Sequence, residues 1–160
     1  MKRRYWLLKT EPSVFSFEDL LSLPKQTTSW EGVRNYQARN FMRDDFSVGD
    51  LCLIYHSNAD PTAIFGIAEV VREAYSDPTA LDPKSKYFDE KAKGKNPWVM
   101  VDIKAISRFK NPITRSELAR HYQLKKMMVL KKGCRLSIQP VTQVEFETIS
   151  QLGGAIKIKL

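Results

Sequence analysis

The chain has 160 residues, of which 42% are hydrophobic and 28% charged, with only 7 Gly and 8 Pro. That length supports one domain with a buried core, and the composition excludes collagenous, low-complexity and extensively disordered chains. The net charge is +8, no stretch approaches the roughly 20 apolar residues that span a bilayer, and Met1 to Lys9 meets charges too soon for a signal-peptide apolar region.

Tyr5 to Lys9 reads as an opening strand that ends in a turn at Glu11-Pro12. Ser16 then caps a short helix whose first turn holds Glu18 and Asp19, suited to the positive end of the helix dipole, and Pro24 stops it. Tyr36, Arg39, Asn40 and Phe41 fall near helical spacing, which predicts a second short helix over residues 35–42. A turn at Val48-Gly49-Asp50 leads into the apolar run Leu51 to Tyr55, and Ile64 to Val71 repeats that pattern, so the two are expected to pair as strands. Pro78, Pro83, Gly94 and Pro97 stand among many charges, predicting a long connection over residues 75–97 with at most one helical turn, a kind of segment that often carries function.

From Trp98 onward, Val99, Val101, Ile103 and Ala105 alternate with Met100, Asp102 and Lys104, marking a strand with one core face and one polar face. Thr114 with Glu117 and Thr142 with Glu145 are capping boxes, each opening a helix. After Gly153-Gly154 the residues Ala155 to Leu160 alternate as a strand would, or fray. This order predicts an α+β domain around a small curved sheet or barrel with short helices at its corners, over residues 1–152, followed by a tail at 153–160.

Catalytic and metal chemistry find few residues. Cys52 and Cys134 lie in apolar stretches without paired spacing, which predicts free thiols in a reducing compartment. His56 and His121 are the only histidines, and no zinc-protease, Cys-x-x-Cys, nucleophile-elbow or phosphate-loop pattern occurs. Cys52 and His56 would share a metal only on a helix; on a strand, four residues separate them by roughly 13 Å. Glu11, Glu31 and Asp50 could serve as acid and base if the fold brought them together, although their spacing does not require it. No cofactor and no metal are expected.

A recognition surface is better represented. Residues 104–135 hold ten basic side chains against one acid, Glu117, leaving the rest of the chain near neutrality. Such a segment suits a polyanionic partner, because Lys and Arg that neutralise phosphates release condensed counterions; the other reading is a solvated face. Along residues 30–40, Trp30 and Tyr36 offer stacking faces, Asn35 a donor and an acceptor, Arg34 a group for phosphate, and Gly32 close backbone approach. Equally, Trp30 and Tyr36 would be core aromatics and Asn35 a helix cap. If Arg135 to Thr142 is a strand, Arg135, Ser137 and Gln139 share a polar face that could read a base edge.

These stretches together resemble the EVE domain family of the PUA-like group. The resemblance rests on the stretch from Tyr5 to Pro12, on Trp30 to Asn40, on Val48-Gly49-Asp50 with Tyr55-His56-Ser57-Asn58, and on Gly66-Ile67-Ala68. It continues through Tyr75 to Ala80, Pro97 to Asp102 and Arg135 to Val141. It implies a PUA-like small β-barrel or curved mixed sheet, flanked by short helices, that binds nucleic acid bearing modified bases without catalysis. The family is associated with modified cytosines in DNA and with modified RNA.

By that similarity the base pocket would be formed by Trp30, Gly32, Val33, Arg34, Asn35 and Tyr36, walled by Lys9, Glu11, Ser57, Asn58, Ser137, Gln139 and Pro140. Arg39, Lys125, Lys126, Lys131, Lys132 and Arg135 would hold phosphates. Two positions depart from the pattern: Phe146 replaces a customary Trp, and Tyr122 a customary Pro after the His. A monomeric, cytoplasmic protein is expected, nuclear in a eukaryote, with no membrane partner. An enzyme using Glu11 or His56, and a protein-binding adaptor, remain the rival classes.

Overall fold

The apolar runs assemble into one mixed sheet of seven strands: β1 (Tyr5–Thr10), β2 (Thr27–Ser29), β3 (Leu51–His56), β4 (Ala63–Ser76), β5 (Val99–Thr114), β6 (Ile138–Val141) and β7 (Ala155–Lys157). The computed structural model describes residues 2–158. Strand order is β2-β5-β4-β3-β1-β6, with β7 also paired to β5; β1 runs parallel to β3 and every other pairing is antiparallel. The sheet is mixed and curved, but it does not close into a barrel: among the described residues no pairing joins β2 to β6.

Both faces of the central strands are covered, which explains why Leu51 to Tyr55 is a continuous apolar run rather than an alternation. On one face Trp6, Leu8, Cys52, Ile54 and Ile103 pack with Phe17, Trp30, Met42 and Phe46. On the other, Leu7, Leu53, Ile64 and Phe109 pack with Leu118, Leu124, Phe146 and Ile149. Successive residues of β1 and β3 thus serve two cores.

Four short helices lie against these cores: α1 (Phe17–Ser22), α2 (Tyr36–Asn40), α3 (Arg115–Arg120) and α4 (Gln143–Gly153). Ser16, Thr114 and Thr142 each complete a capping box, with Asp19, Glu117 and Glu145 respectively. The helix over 35–42 is present as α2, prolonged by a wider turn through Asp45. Phe146, at the position where Trp is customary, stacks 4.6 Å from Tyr5 and fills the same core. Asp50, buried at the start of β3, accepts bonds from Arg4 N–H, Trp6 Nε1–H and Ser47 N–H, each at 3.0 Å, fixing the entry of β1 and β3 together.

One expectation changes. The connection before Trp98 holds two one-turn helices, Pro78–Leu81 and Glu90–Ala92, rather than at most one. Asp77 and Asp89 cap them, and a small core of Ala80, Ala92 and Trp98 anchors them. The tail is partly ordered by pairing, since β7 lies antiparallel to Ser107–Phe109 of β5; Lys159 and Leu160 lie outside the described residues.

Candidate nucleic-acid interface

β1 and β3 end together, and the chain segments leaving the sheet at that end and along β2 enclose a cleft of about 750 Å³. Its lining includes Lys9, Glu11, Phe15, Thr28, Ser29, Trp30, Glu31, Gly32, Val33, Arg34, Lys86, Tyr87 and Ser137. Trp30 forms the floor. Its backbone N–H donates to Val101 O at 2.7 Å, Phe15 packs edge-on at 6.1 Å between ring centroids, and the residue is only 8% exposed. Core burial and cleft lining are therefore both true of Trp30.

Gly32 forms a wall that no other residue fits without strain: φ is +80°, and a Cβ there would meet the Tyr87 ring at 2.6 Å. Its N–H donates to Asp77 Oδ2 at 2.9 Å. Arg34 is bonded within the fold and latches the 77–98 excursion. Its Nε–H donates to Tyr87 O at 3.0 Å, Nη1–H to Val33 O and Asp77 Oδ2, and Nη2–H to Thr79 Oγ1. Asp77, fully buried, also accepts from Thr79 N–H and Thr79 Oγ1–H. Burial alone would raise its carboxyl pKa, but the bonds from Thr79, Gly32 and Arg34 outweigh it and hold the group below the usual carboxylate range. This network delivers Tyr87 and Lys86 to the cleft.

On the opposite wall, Lys9 N–H donates to Ser137 O at 2.8 Å, and Lys9 Nζ reaches Cys134 O at 3.4 Å. Partial burial lowers the Lys9 pKa, with Arg115 adding to the fall and Cys134 opposing it. Glu31 is pushed the other way, upward, by desolvation in the cleft and by Asp77. Glu11 and Glu31 thus meet in one cleft, whereas Asp50 is a buried latch between β1 and β3.

The fold brings together Lys9, Glu11, Trp30, Gly32, Val33, Arg34 and Ser137, but places the other proposed pocket residues outside this lining. Asn35 caps α2, accepting from Ala38 N–H at 3.0 Å. Tyr36 is 58% exposed and packs on Trp98, with the Arg39 guanidinium 4.9 Å from the Tyr36 ring centroid. Arg39 itself donates to Pro97 O and Asn40 Oδ1. Ser57 N–H donates to Thr10 O, beside the rim, and Asn58 follows in a left-handed turn. The polar row over Arg135, Ser137 and Gln139 does not form, because the strand begins only at Ile138. Gln139 is 1% exposed and braces the preceding turn by donating to Leu136 O, while Pro140 pairs beside Trp6, towards the other end of β1.

The cleft also holds residues that local sequence did not single out. Phe15, Lys86 and Tyr87 reach it through the tertiary fold, and Tyr87 stands in a charged loop with no periodicity to mark it. Asp77 lay within a matched stretch, but its buried role depends on four donors from three residues, Gly32 and Arg34 distant in sequence and Thr79 around its own turn.

The basic segment meets the cleft at its rim. Leu124, Met127 and Val129 anchor it in the second core, leaving Lys125, Lys126, Lys131, Lys132 and Arg135 exposed, and Cys134 to Ser137 then join the Lys9 wall. Tyr122, at the position of the customary Pro, is 78% exposed with Lys125 Nζ 4.0 Å from its ring centroid.

Cys52 and His56 lie on strand β3, in separate surroundings. Burial pushes the Cys52 thiol pKa up. Phe17 N–H donates to His56 Nε2 at 3.0 Å, and the imidazole stacks on Phe65, so that nitrogen must stay unprotonated. Burial lowers the His56 pKa from its ordinary 6.5, against a smaller upward pull from Asp19. The folded chain therefore binds fewer protons than the unfolded chain, and this contribution to stability is lost as pH falls from 6.5 through the lowered folded value. Urea unfolding between about pH 7.5 and 5 is expected to show that loss, and His56→Gln to flatten it, since an amide oxygen can accept the same bond without titrating.

No helix among the described residues is long and apolar enough to cross a membrane, and no three His, Cys, Asp or Glu side chains are grouped to hold a metal ion. Residues 4–152 match the EVE domain. Thymocyte nuclear protein 1 from Gallus gallus is 43% identical over 166 residues, covering 92% of this chain and 68% of that protein. A hypothetical protein from Leishmania major superposes with a TM-score of 0.89 at 49% identity, covering 96% of each chain. Human THYN1 protein, solved in complex with 5-methylcytosine containing DNA, superposes with a TM-score of 0.86 at 40% identity, covering 94% of this chain and 97% of that one. With its domain matched almost end to end and its fold shared with relatives at these identities, the chain belongs to the EVE domain family.

Proposed function

We propose that this protein is a non-catalytic nucleic-acid-binding domain that seats a modified base, modified cytosine in DNA foremost, in the cleft floored by Trp30. The observation that carries the proposal is the open aromatic cleft in a chain 40% identical to human THYN1 protein, whose structure contains 5-methylcytosine DNA. An unstacked base entering this cleft meets Trp30 and Tyr87, and each base–aromatic stack contributes about 1–3 kcal/mol. The hydroxyls of Ser29 and Ser137, both on the lining, offer hydrogen bonds to its edges. A 5-methyl group against the apolar floor adds about 0.8 kcal/mol.

The exposed lysines of residues 125–132, with Arg135, hold phosphates without reading sequence. Arg34 and Arg39 are left out of that set, because their guanidinium groups are already bonded within the fold.

The test is a titration of matched DNA and RNA oligonucleotides with a central cytosine that is unmodified, 5-methylated or 5-hydroxymethylated, at low and physiological salt. The 5-methylated DNA is expected to bind about fourfold tighter than its unmodified counterpart, with the preference retained at physiological salt. Equal affinities across all strands that vanish with salt would overturn the base-seating role and leave only charge attraction.

A further inference from the structure

A protein of net charge +8 carries two carboxylates, Glu11 and Glu31, on the lining of its aromatic cleft. A carboxylate there repels a phosphate, so its useful partner is a hydrogen-bond donor, and on DNA, terminal hydroxyls apart, the donors are on base edges. Glu31 is the better placed of the two. Its backbone is fixed on both sides, by Trp30 N–H on Val101 O at 2.7 Å and by Gly32 N–H on Asp77 Oδ2 at 2.9 Å. It lies in sequence between Trp30 and Gly32, and all three line the cleft with Tyr87. Among the described residues its carboxylate makes no hydrogen bond or ion pair, while the neighbouring Arg34 is bonded to Asp77 and the excursion. A base stacked on Trp30 would have its edge within reach of this acceptor.

We propose that Glu31 accepts a hydrogen bond from the exocyclic amine of the seated base, so that the cleft selects amino-bearing bases over thymine and uracil. This rests on the base-seating function proposed above and names the class of base it takes. Cytosine and adenine offer an amine to the carboxylate. Thymine and uracil instead offer two carbonyl oxygens flanking one N–H, setting oxygen against oxygen. The comparison of 5-methylcytosine with thymine is then decisive, because the methyl group and ring outline are the same and only the edge differs.

The probes are duplexes carrying 5-methylcytosine, thymine or no base at one position, each opposite an abasic site so that no pairing has to be broken. Wild-type protein is expected to bind 5-methylcytosine about tenfold tighter than thymine, and Glu31→Gln, which offers both a donor and an acceptor, to bring the two within about twofold. Glu31 is exposed, and unfolding curves of the variant are expected to match the wild type. If 5-methylcytosine and thymine bind equally, and both more tightly than the abasic duplex, the role of Glu31 is wrong while base seating stands. If the tenfold ratio persists in Glu31→Gln, another group reads the edge and the proposal fails. If all three duplexes bind equally, base seating itself is overturned, and this proposal with it.

Discussion

Asp77→Ala is expected to lower stability by about 3–5 kcal/mol, the range for removing one partner of a buried, hydrogen-bonded ion pair. The effect is large because one carboxylate satisfies Gly32 N–H, Thr79 N–H, Thr79 Oγ1–H and the Arg34 guanidinium together. Taking it away leaves buried donors without acceptors and releases the latch that holds Tyr87 against Gly32. Urea unfolding measures the first consequence. The second is read by binding of a 5-methylcytosine oligonucleotide under conditions where the variant is still folded, with at least a tenfold loss expected as the cleft wall loosens. Asp77→Asn keeps one acceptor oxygen and is expected to lose less on both counts. A variant within about 1 kcal/mol of wild type with unchanged affinity would show that the excursion is held by its small core of Ala80, Ala92 and Trp98 alone.

Replacing Lys125, Lys126, Lys131 and Lys132 together by Ala is the second large effect, and it separates charge from base reading. All four side chains are exposed, with no acceptor among the ion pairs of the fold, so stability should change by only about 0.5 kcal/mol per site or less. Affinity at physiological salt is expected to fall by roughly 10–100-fold, and the slope of log K against log salt to flatten by about 0.9 for each duplex phosphate that is no longer neutralised. The ratio between modified and unmodified strands should not move, because bonds to phosphate carry no information about the base. An unchanged salt slope would make this segment a solvated face. The apolar anchors Leu124, Met127 and Val129 show why it keeps a defined shape despite its charge.

Much of the scaffold was legible because its signals are local. A capping box needs two residues three apart, and Ser16, Thr114 and Thr142 open the helices where their boxes place them. The pairing of Leu51 to Tyr55 with Ile64 to Val71 likewise joins neighbouring runs, and it appears with Leu53 opposite Ile67. The alternation after Trp98 marked β5, although it did not show how far register shifts against β4 would bend that strand. Resemblance to the EVE domain supplied the long-range order that local patterns lack, including the mixed sheet, but the open edges at β2 and β6 emerged only in three dimensions.

Residues 30–34 illustrate the division most clearly. Sequence chemistry determined that this stretch has an aromatic face, a glycine for close approach, a carboxylate and a guanidinium, and that residues 104–135 concentrate positive charge. Tertiary structure decided what each does in the fold: Trp30 is both core and floor, Arg34 is a latch, Asn35 is a cap, and Tyr36 packs on Trp98 outside the cleft lining. It also decided that Asp77, Lys86 and Tyr87 belong with them, more than forty residues away along the chain. Residue type sets which bonds a side chain is able to make, and that is written in one dimension. Which bonds it does make depends on the donors and acceptors that folding brings within about 3 Å, where burial makes any unmatched group costly.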